Sequence, residues 1–345
     1  MKASFLTGIR RFETSEIGDP QIINDTDVLV RIKAVGVCGS DVHYYTTGRI
    51  GSQVVQFPFI IGHETAGIVE AIGGGVTRVV PGQKIAIDPA VSCGDCDQCK
   101  AGREHTCRTL RFMGAPGQME GCMREFVVID ERCCFPIPQT MTFEQAAIAE
   151  PLSIGIYSVE RSPLSAGSNV AVLGAGPIGV SVLTTLRSKE VGRIYVTDKT
   201  VERLAFSAKF NPEWSGNPDS SNVPAEISRR EPLLLDIVYE CSGDPAASRQ
   251  AVELLKPGGT LVIVGITETD DLSLPIHDLR RKEITILNIR RQCRCTQKAI
   301  DMIAARCVIA DRMITHRFRI DETTRAFDLV ANRLDGVMKA MISFG

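Results

Sequence analysis

The chain has 345 residues, 44% hydrophobic, 23% charged and 6% aromatic, the profile of a globular protein and not of a disordered or fibrous one. With 39 Lys and Arg against 41 Asp and Glu, a formal charge of -2 gives no long-range field for gathering nucleic acid or a membrane surface. At about 150 residues per domain the length predicts two cores.

Residues 1–16 mix Lys2, Arg10, Arg11 and Glu13 with single apolar residues, so no secretory segment is expected and the chain reads as cytoplasmic. The alternation over 27–37 predicts a strand, and Gly and Pro punctuation continues to about residue 135, so this half reads as β-rich and loop-rich. Within it, Cys38 follows a strand and His63-Glu64 follow a glycine, donor types suited to a catalytic zinc with three protein ligands and one exchangeable position. Taken singly, a cysteine after a strand is more often a small core residue and a lone histidine is more often filler.

Twelve cysteines in a long chain without an export signal do not read as a disulfide framework. Cys93, Cys96, Cys99 and Cys107 converge in a polar stretch, a spacing that predicts a closed, structural zinc site in a lobe at about 90–110. Polar residues between these thiols give them no apolar core in which to hide.

Beyond about residue 150 short apolar strands alternate with helical stretches, the rhythm of a doubly wound parallel sheet. Strands are expected at 170–173, 193–197, 236–240, 260–264 and 284–289, with helices opened by Pro177 and at Val201 and another ending at 256–259. Residues 211–222, rich in Asn, Pro, Gly and Ser, read as a loop. The first strand runs into Gly174-Ala175-Gly176-Pro177-Ile178-Gly179. In such an element the first glycine makes the turn, the second admits the pyrophosphate and the third lets helix and strand pack. Asp198, at the end of the next strand, is placed to accept from the adenosine ribose and to repel the extra phosphate of NADP, which favours NAD; Lys199 beside it tempers that preference.

Taken together, 37–44, Gly48-Arg49-Ile50-Gly51, Gly62-His63-Glu64, the four cysteines, Glu150-Pro151-Leu152-Ser153, the glycine turn and Glu240-Cys241-Ser242-Gly243 resemble the zinc-dependent medium-chain dehydrogenase/reductase superfamily, in its sorbitol/xylitol (polyol) dehydrogenase branch. The resemblance spans essentially the whole chain. It implies an α/β protein with a GroES-like β-rich catalytic domain (1–152 and 291–345) and a Rossmann domain (153–290), the active site lying in the cleft. It also implies one catalytic and one structural zinc, NAD, and a homodimer or homotetramer whose dimer edge is the strand near 284–289. Cys38 and His63 become zinc ligands; the third is Glu64 or Glu150, because the branch places a glutamate where simple alcohol dehydrogenases have a cysteine. Arg203, Cys241, Ser242, Val264 and Gly265 are further candidates for cofactor contact.

The implied reaction is hydride transfer from a secondary alcohol, a polyol such as sorbitol or xylitol, to NAD. Zinc acidifies the alcohol, Ser40 takes the hydroxyl proton and His43 relays it. Tyr44, Phe112, Glu150 and Arg291 are candidates for substrate contact, and Gln292 stands where animal relatives carry an aromatic residue. A threonine, butanediol or phosphorylated or acidic sugar-alcohol dehydrogenase is the enzymatic alternative, and a nucleotide-binding protein retaining the fold is the non-enzymatic one.

Overall fold

Strand Asp27–Gly36 is buried at most of its positions, with neighbours on both of its edges, and only Leu29, Arg31 and Lys33, alternate residues of one face, are partly open. One edge pairs along its length with Glu64–Ile72. The other edge is shared, its first half taken by Phe126–Asp130 and its last residues by Lys339–Ser343. In the computed structural model, which describes residues 1–307 and 310–345, this strand sits at the middle of a seven-stranded sheet. The path runs Cys134–Pro136, Lys84–Ile87, Glu64–Ile72, Asp27–Gly36, Lys339–Ser343 and Ile314–Arg319, with Phe126–Asp130 off the path. The sheet belongs to a unit made of Met1–Glu150 and Thr296–Gly345, whose core includes Val28, Val30, Ile32, Ile85, Val127 and Ile342.

The second unit, Pro151–Cys295, carries six strands in the order Trp214–Gly216, Ile194–Thr197, Val170–Leu173, Leu235–Glu240, Leu255–Ile263, Thr285–Asn288, every neighbouring pair parallel. Val170–Leu173 and its neighbour Ile194–Thr197 are buried at every residue, as interior strands covered on both faces by crossover helices must be. Order and polarity are those of a doubly wound nucleotide-binding sheet, which opens for ligand at the carboxyl ends of its strands.

Two local expectations fail. Trp214–Gly216 is a strand inside the stretch expected to be loop, since pairing with Tyr195, Val196 and Thr197 outweighs the turn-forming composition around it. The helix expected to reach 256–259 stops at Leu254, and Leu255–Ile263 is already strand, with a register shift where Pro257 lacks a ladder donor. Among the described residues no helix is long and apolar enough to cross a membrane.

Candidate functional site

Cys38 lies just past the end of Asp27–Gly36 and is the N-cap of helix Gly39–Thr47. The register sets Glu64 directly opposite Gly36, and a side chain on Gly36 would collide with the Glu64 carboxylate. Glycine here therefore leaves room for Glu64 to lie across the strand end. Cys38, His63 and Glu64 present ligand atoms that all lie within 4.8 Å of one another. A thiolate, an imidazole and a carboxylate at that separation fit a zinc ion.

Two side chains fix this group from behind. Asp41, fully buried, lies 3.3 Å from His63 Nδ1 and accepts from Gly62 N. Holding Nδ1 settles the ring's orientation and leaves the other nitrogen for a metal, the usual partner arrangement of a ligating histidine. Burial alone would lower the His63 pKa, but Asp41 and then Cys38 hold it well above the ordinary range. On the other side, Lys339 Nζ donates to both Glu64 oxygens, at 2.8 and 2.7 Å, and to the Val37 carbonyl at 3.1 Å. Lysine and glutamate are each 1% exposed, so neither charge has water to fall back on. Burial works against the Lys339 charge, and Glu64, Cys38 and Glu150 together more than restore it, so its pKa is raised.

Glu150 is buried, and burial pushes its carboxyl up to about 7, with His63 opposing and Glu64 reinforcing the shift. Both glutamates thus belong to the same charged neighbourhood, and Glu64 is the one that clusters with Cys38 and His63. Ser40 Oγ donates to Cys38 Sγ at 3.3 Å. His43 stands three residues further along the same helix, hence on a neighbouring part of its surface. Phe112 is buried with its ring centroid 5.2 Å from that of His63. Tyr44 is buried and donates to Gln53 at 3.3 Å. Arg291 falls in the second unit, with left-handed backbone at φ 54°.

The four-cysteine lobe is built locally. Sulfur separations of 3.9 Å (Cys93 to Cys99), 3.6 Å (Cys96 to Cys99), 3.9 Å (Cys96 to Cys107) and 3.5 Å (Cys107 to Cys93) surround one centre. A tetrahedron with Zn–S bonds of about 2.3 Å has edges of about 3.8 Å, so the four thiols fit a closed zinc site. Backbone N–H groups of Asp95 and Cys96 donate to Cys93 Sγ and lower its pKa to about 6, while burial pushes the Cys99 thiol up to about 12.

In the second unit Gly174 takes φ 98°, which its position before a helix requires, and Gly176 caps helix Pro177–Arg187 with proline in its first turn. A side chain on Gly179 would strike the Gly174 carbonyl, so helix and strand are in direct backbone contact. Gly176, Pro177 and Ile178 are half-buried, and the space beside Gly176 is bounded by the Arg203 guanidinium, 3.3 Å from where a Cβ would stand. A pyrophosphate fits that cradle. Asp198, 9% exposed, accepts from Ala175 N at 2.8 Å and Thr200 N at 2.7 Å, tying the glycine turn to the next strand end. The buried Glu240 carboxylate, its pKa raised by that burial, gathers Ser242 N at 2.7 Å and Gly243 N at 2.9 Å, and its carbonyl accepts from Val264 N and Gly265 N. Cys241 N donates to Leu173 O, so 241–243 and 264–265 close around the end of the first strand.

Sequence reasoning assigned no role to Gly36, Asp41, Glu240 or Lys339. Lys339 had left a signal, a lysine opening a strand whose next three residues, Ala340, Met341 and Ile342, are apolar, which asks for a buried counter-charge.

Residues 24–139 match the model of the alcohol dehydrogenase GroES-like domain, and residues 177–305 that of the zinc-binding dehydrogenases. The chain is 32% identical over 343 residues to a sorbitol dehydrogenase of Bacillus subtilis (strain 168), covering 99% of this chain and 97% of that one. Among solved structures it resembles a zinc-binding dehydrogenase of Sinorhizobium meliloti 1021 bound to NADP (TM-score 0.89, 29% identical, 99% of each chain). It also resembles 2R,3R-butanediol dehydrogenase of Bacillus subtilis (TM-score 0.88, 26% identical, 100% of this chain and 99% of that one). The protein is accordingly an alcohol dehydrogenase that works with zinc and a nicotinamide cofactor. By these matches the chain belongs to the zinc-dependent medium-chain dehydrogenase/reductase superfamily, in its sorbitol/xylitol (polyol) dehydrogenase branch.

Proposed function

We propose that the enzyme oxidises a secondary hydroxyl of a polyol such as sorbitol or xylitol to a ketose with NAD, using one catalytic and one structural zinc per chain. The observation that carries this reading is the convergence of Cys38, His63 and Glu64 with Asp41 fixed behind the imidazole. When bound, zinc supplies Lewis acidity toward an alcohol oxygen and the nicotinamide accepts hydride. Cys38 and His63 hold the ion, and Glu64 or Glu150 completes the set.

Ser40 places a hydroxyl 3.3 Å from the Cys38 sulfur, within reach of an alcohol proton presented beside that ligand. His43, further along the helix, passes the proton outward. Phe112 walls the site next to His63, while Tyr44, Glu150 and Arg291 supply polar contacts for the remaining hydroxyls. Gly174, Gly176, Pro177, Ile178 and Gly179 receive the pyrophosphate, and Arg203, Cys241, Ser242, Val264 and Gly265 line the cofactor. The Asp198 carboxylate accepts from the ribose and favours NAD. The exposed edge strand Thr285–Asn288, paired on one side only, is the edge for a second copy in a homodimer or homotetramer.

The similarity to a butanediol dehydrogenase supports a second reading, a small vicinal diol as substrate. A panel of sorbitol, xylitol, 2,3-butanediol, threonine and a phosphorylated polyol, run with NAD and with NADP and read at the reduced-nicotinamide absorbance, separates these cases. Zinc is determined on the same sample. Polyol turnover with NAD and two zincs per chain are expected; butanediol alone as substrate, or a single zinc, overturns the corresponding part.

A further inference from the structure

Lys199 directly follows the ribose-reading Asp198. A cation at this point is what a 2′-phosphate would seek, so on charge alone it would draw the site toward NADP. Its ammonium is already engaged: Nζ lies 3.0 Å from Asp244 Oδ2 and 3.6 Å from Asp219 Oδ1. The two acids reach it from different elements, Asp219 from the loop after Trp214–Gly216 and Asp244 from the N-cap of helix Pro245–Leu254. The other Asp244 oxygen accepts from Ala246 N at 2.8 Å, and Asn217 donates to the Lys199 carbonyl at 3.0 Å, so main chain and side chain are both fastened.

We propose that Asp219 and Asp244 are specificity-determining residues that hold Lys199 away from a 2′-phosphate, so that the choice of NAD is made by this paired lysine together with Asp198 and not by Asp198 alone. This rests on the NAD reading above. The clamp acts by engaging the cation adjacent in sequence to Asp198, so that its charge is already paired when a phosphate approaches. All of the groups lie in the second unit, at the carboxyl ends of the parallel strands, where the adenosine half of a dinucleotide binds.

The test uses the full zinc-loaded chain and fluorescence titration of NADH and NADPH at low salt. Asp219→Asn with Asp244→Asn keeps the helix cap, because asparagine also accepts from Ala246 N. Freeing the lysine to meet a dianion should tighten NADPH by about tenfold or more while NADH moves less than about threefold. The gain should shrink as salt is raised. Adding Lys199→Ala to the double variant should abolish the gain, and Lys199→Ala alone should leave NADPH affinity unchanged. An NADPH affinity that stays put in the double variant, or a gain that survives loss of the lysine, overturns the clamp. Weaker NADPH binding in Lys199→Ala alone overturns it too, since the lysine would then already be reading the phosphate. A wild-type chain that binds NADPH as tightly as NADH overturns the NAD reading and the clamp together, whereas preference for NADH with no gain overturns only the clamp.

Discussion

The two metal-type clusters in the first unit are built on opposite plans. The four cysteines sit within one short segment, 93–107, with Cys93 exposed, and the sulfurs of Cys93 and Cys107 take N–H donors from that same segment. Cys38, His63 and Glu64 are brought together by a sheet, and their counter-charges come from elsewhere: Lys339 is 275 residues from Glu64. The lobe has four thiols for four tetrahedral positions, so an ion there orders the loop and offers nothing to substrate. The buried group has fewer donors and a carboxylate already shared with a lysine, so an ion there keeps capacity for a further ligand. Closure comes from local ligands, while an open position depends on groups held by the rest of the fold.

Removing one thiol from each site should separate the two plans most strongly. Cys38→Ser should lower kcat/KM by at least about 10³-fold, the several kcal/mol a Lewis acid supplies. NADH binding should stay intact, because the glycine turn belongs to the other unit. Near-normal turnover would remove Cys38 from the chemistry. Cys99→Ser should instead expose 90–110 to proteolysis and hydrogen exchange while NADH binding persists.

Lys339→Met tests the fold-held side through stability. Taking one partner from a buried ion pair costs about 3–5 kcal/mol, since the remaining charge is stranded, and Lys339→Arg should recover part of it. Chemical denaturation reads the difference; a loss near zero would mean that Glu64 finds another partner or a proton. Asp41→Asn is milder. It should weaken metal at the buried site by about 10–100-fold, the usual cost of losing a ligand's hydrogen-bonded partner, and leave the lobe's zinc in place. Chelator competition followed by metal analysis distinguishes the two ions; equal loss from both would erase the distinction drawn above.

This difference in plan also decides what could be read in the sequence. The cysteine lobe and the turn from Gly174 to Gly179 were legible because their parts are neighbours in the chain, where spacing is geometry. The parallel strands were legible as apolar runs, yet Trp214–Gly216 was missed, since an edge strand among Asn, Pro and Gly owes its form to the strand beside it. Cys38, His63 and Glu64 carried weight only as a set within a resemblance. Asp41 and Lys339 had no role to be read, because their roles exist only once the sheet sets Gly36 between Glu64 on one strand and Met341 on another.

The smallest effect is expected where an exposed ion pair decorates the lobe. Arg108 donates to Asp97 through two nitrogens, one of them at 3.0 Å, and this bond is the main reason the Asp97 carboxyl stays well below its ordinary range. Both side chains are more than half exposed, so water and salt compete for each partner. If thiolate–zinc bonds hold the lobe, Arg108→Ala should speed zinc release by less than about threefold, and added salt should shrink even that. A colorimetric zinc-release assay at low and high salt measures it. A change above about tenfold would mean that the loop is closed by its surface charges and not by its metal, and the contrast between a locally built site and a fold-held one would have to be drawn again from the other side.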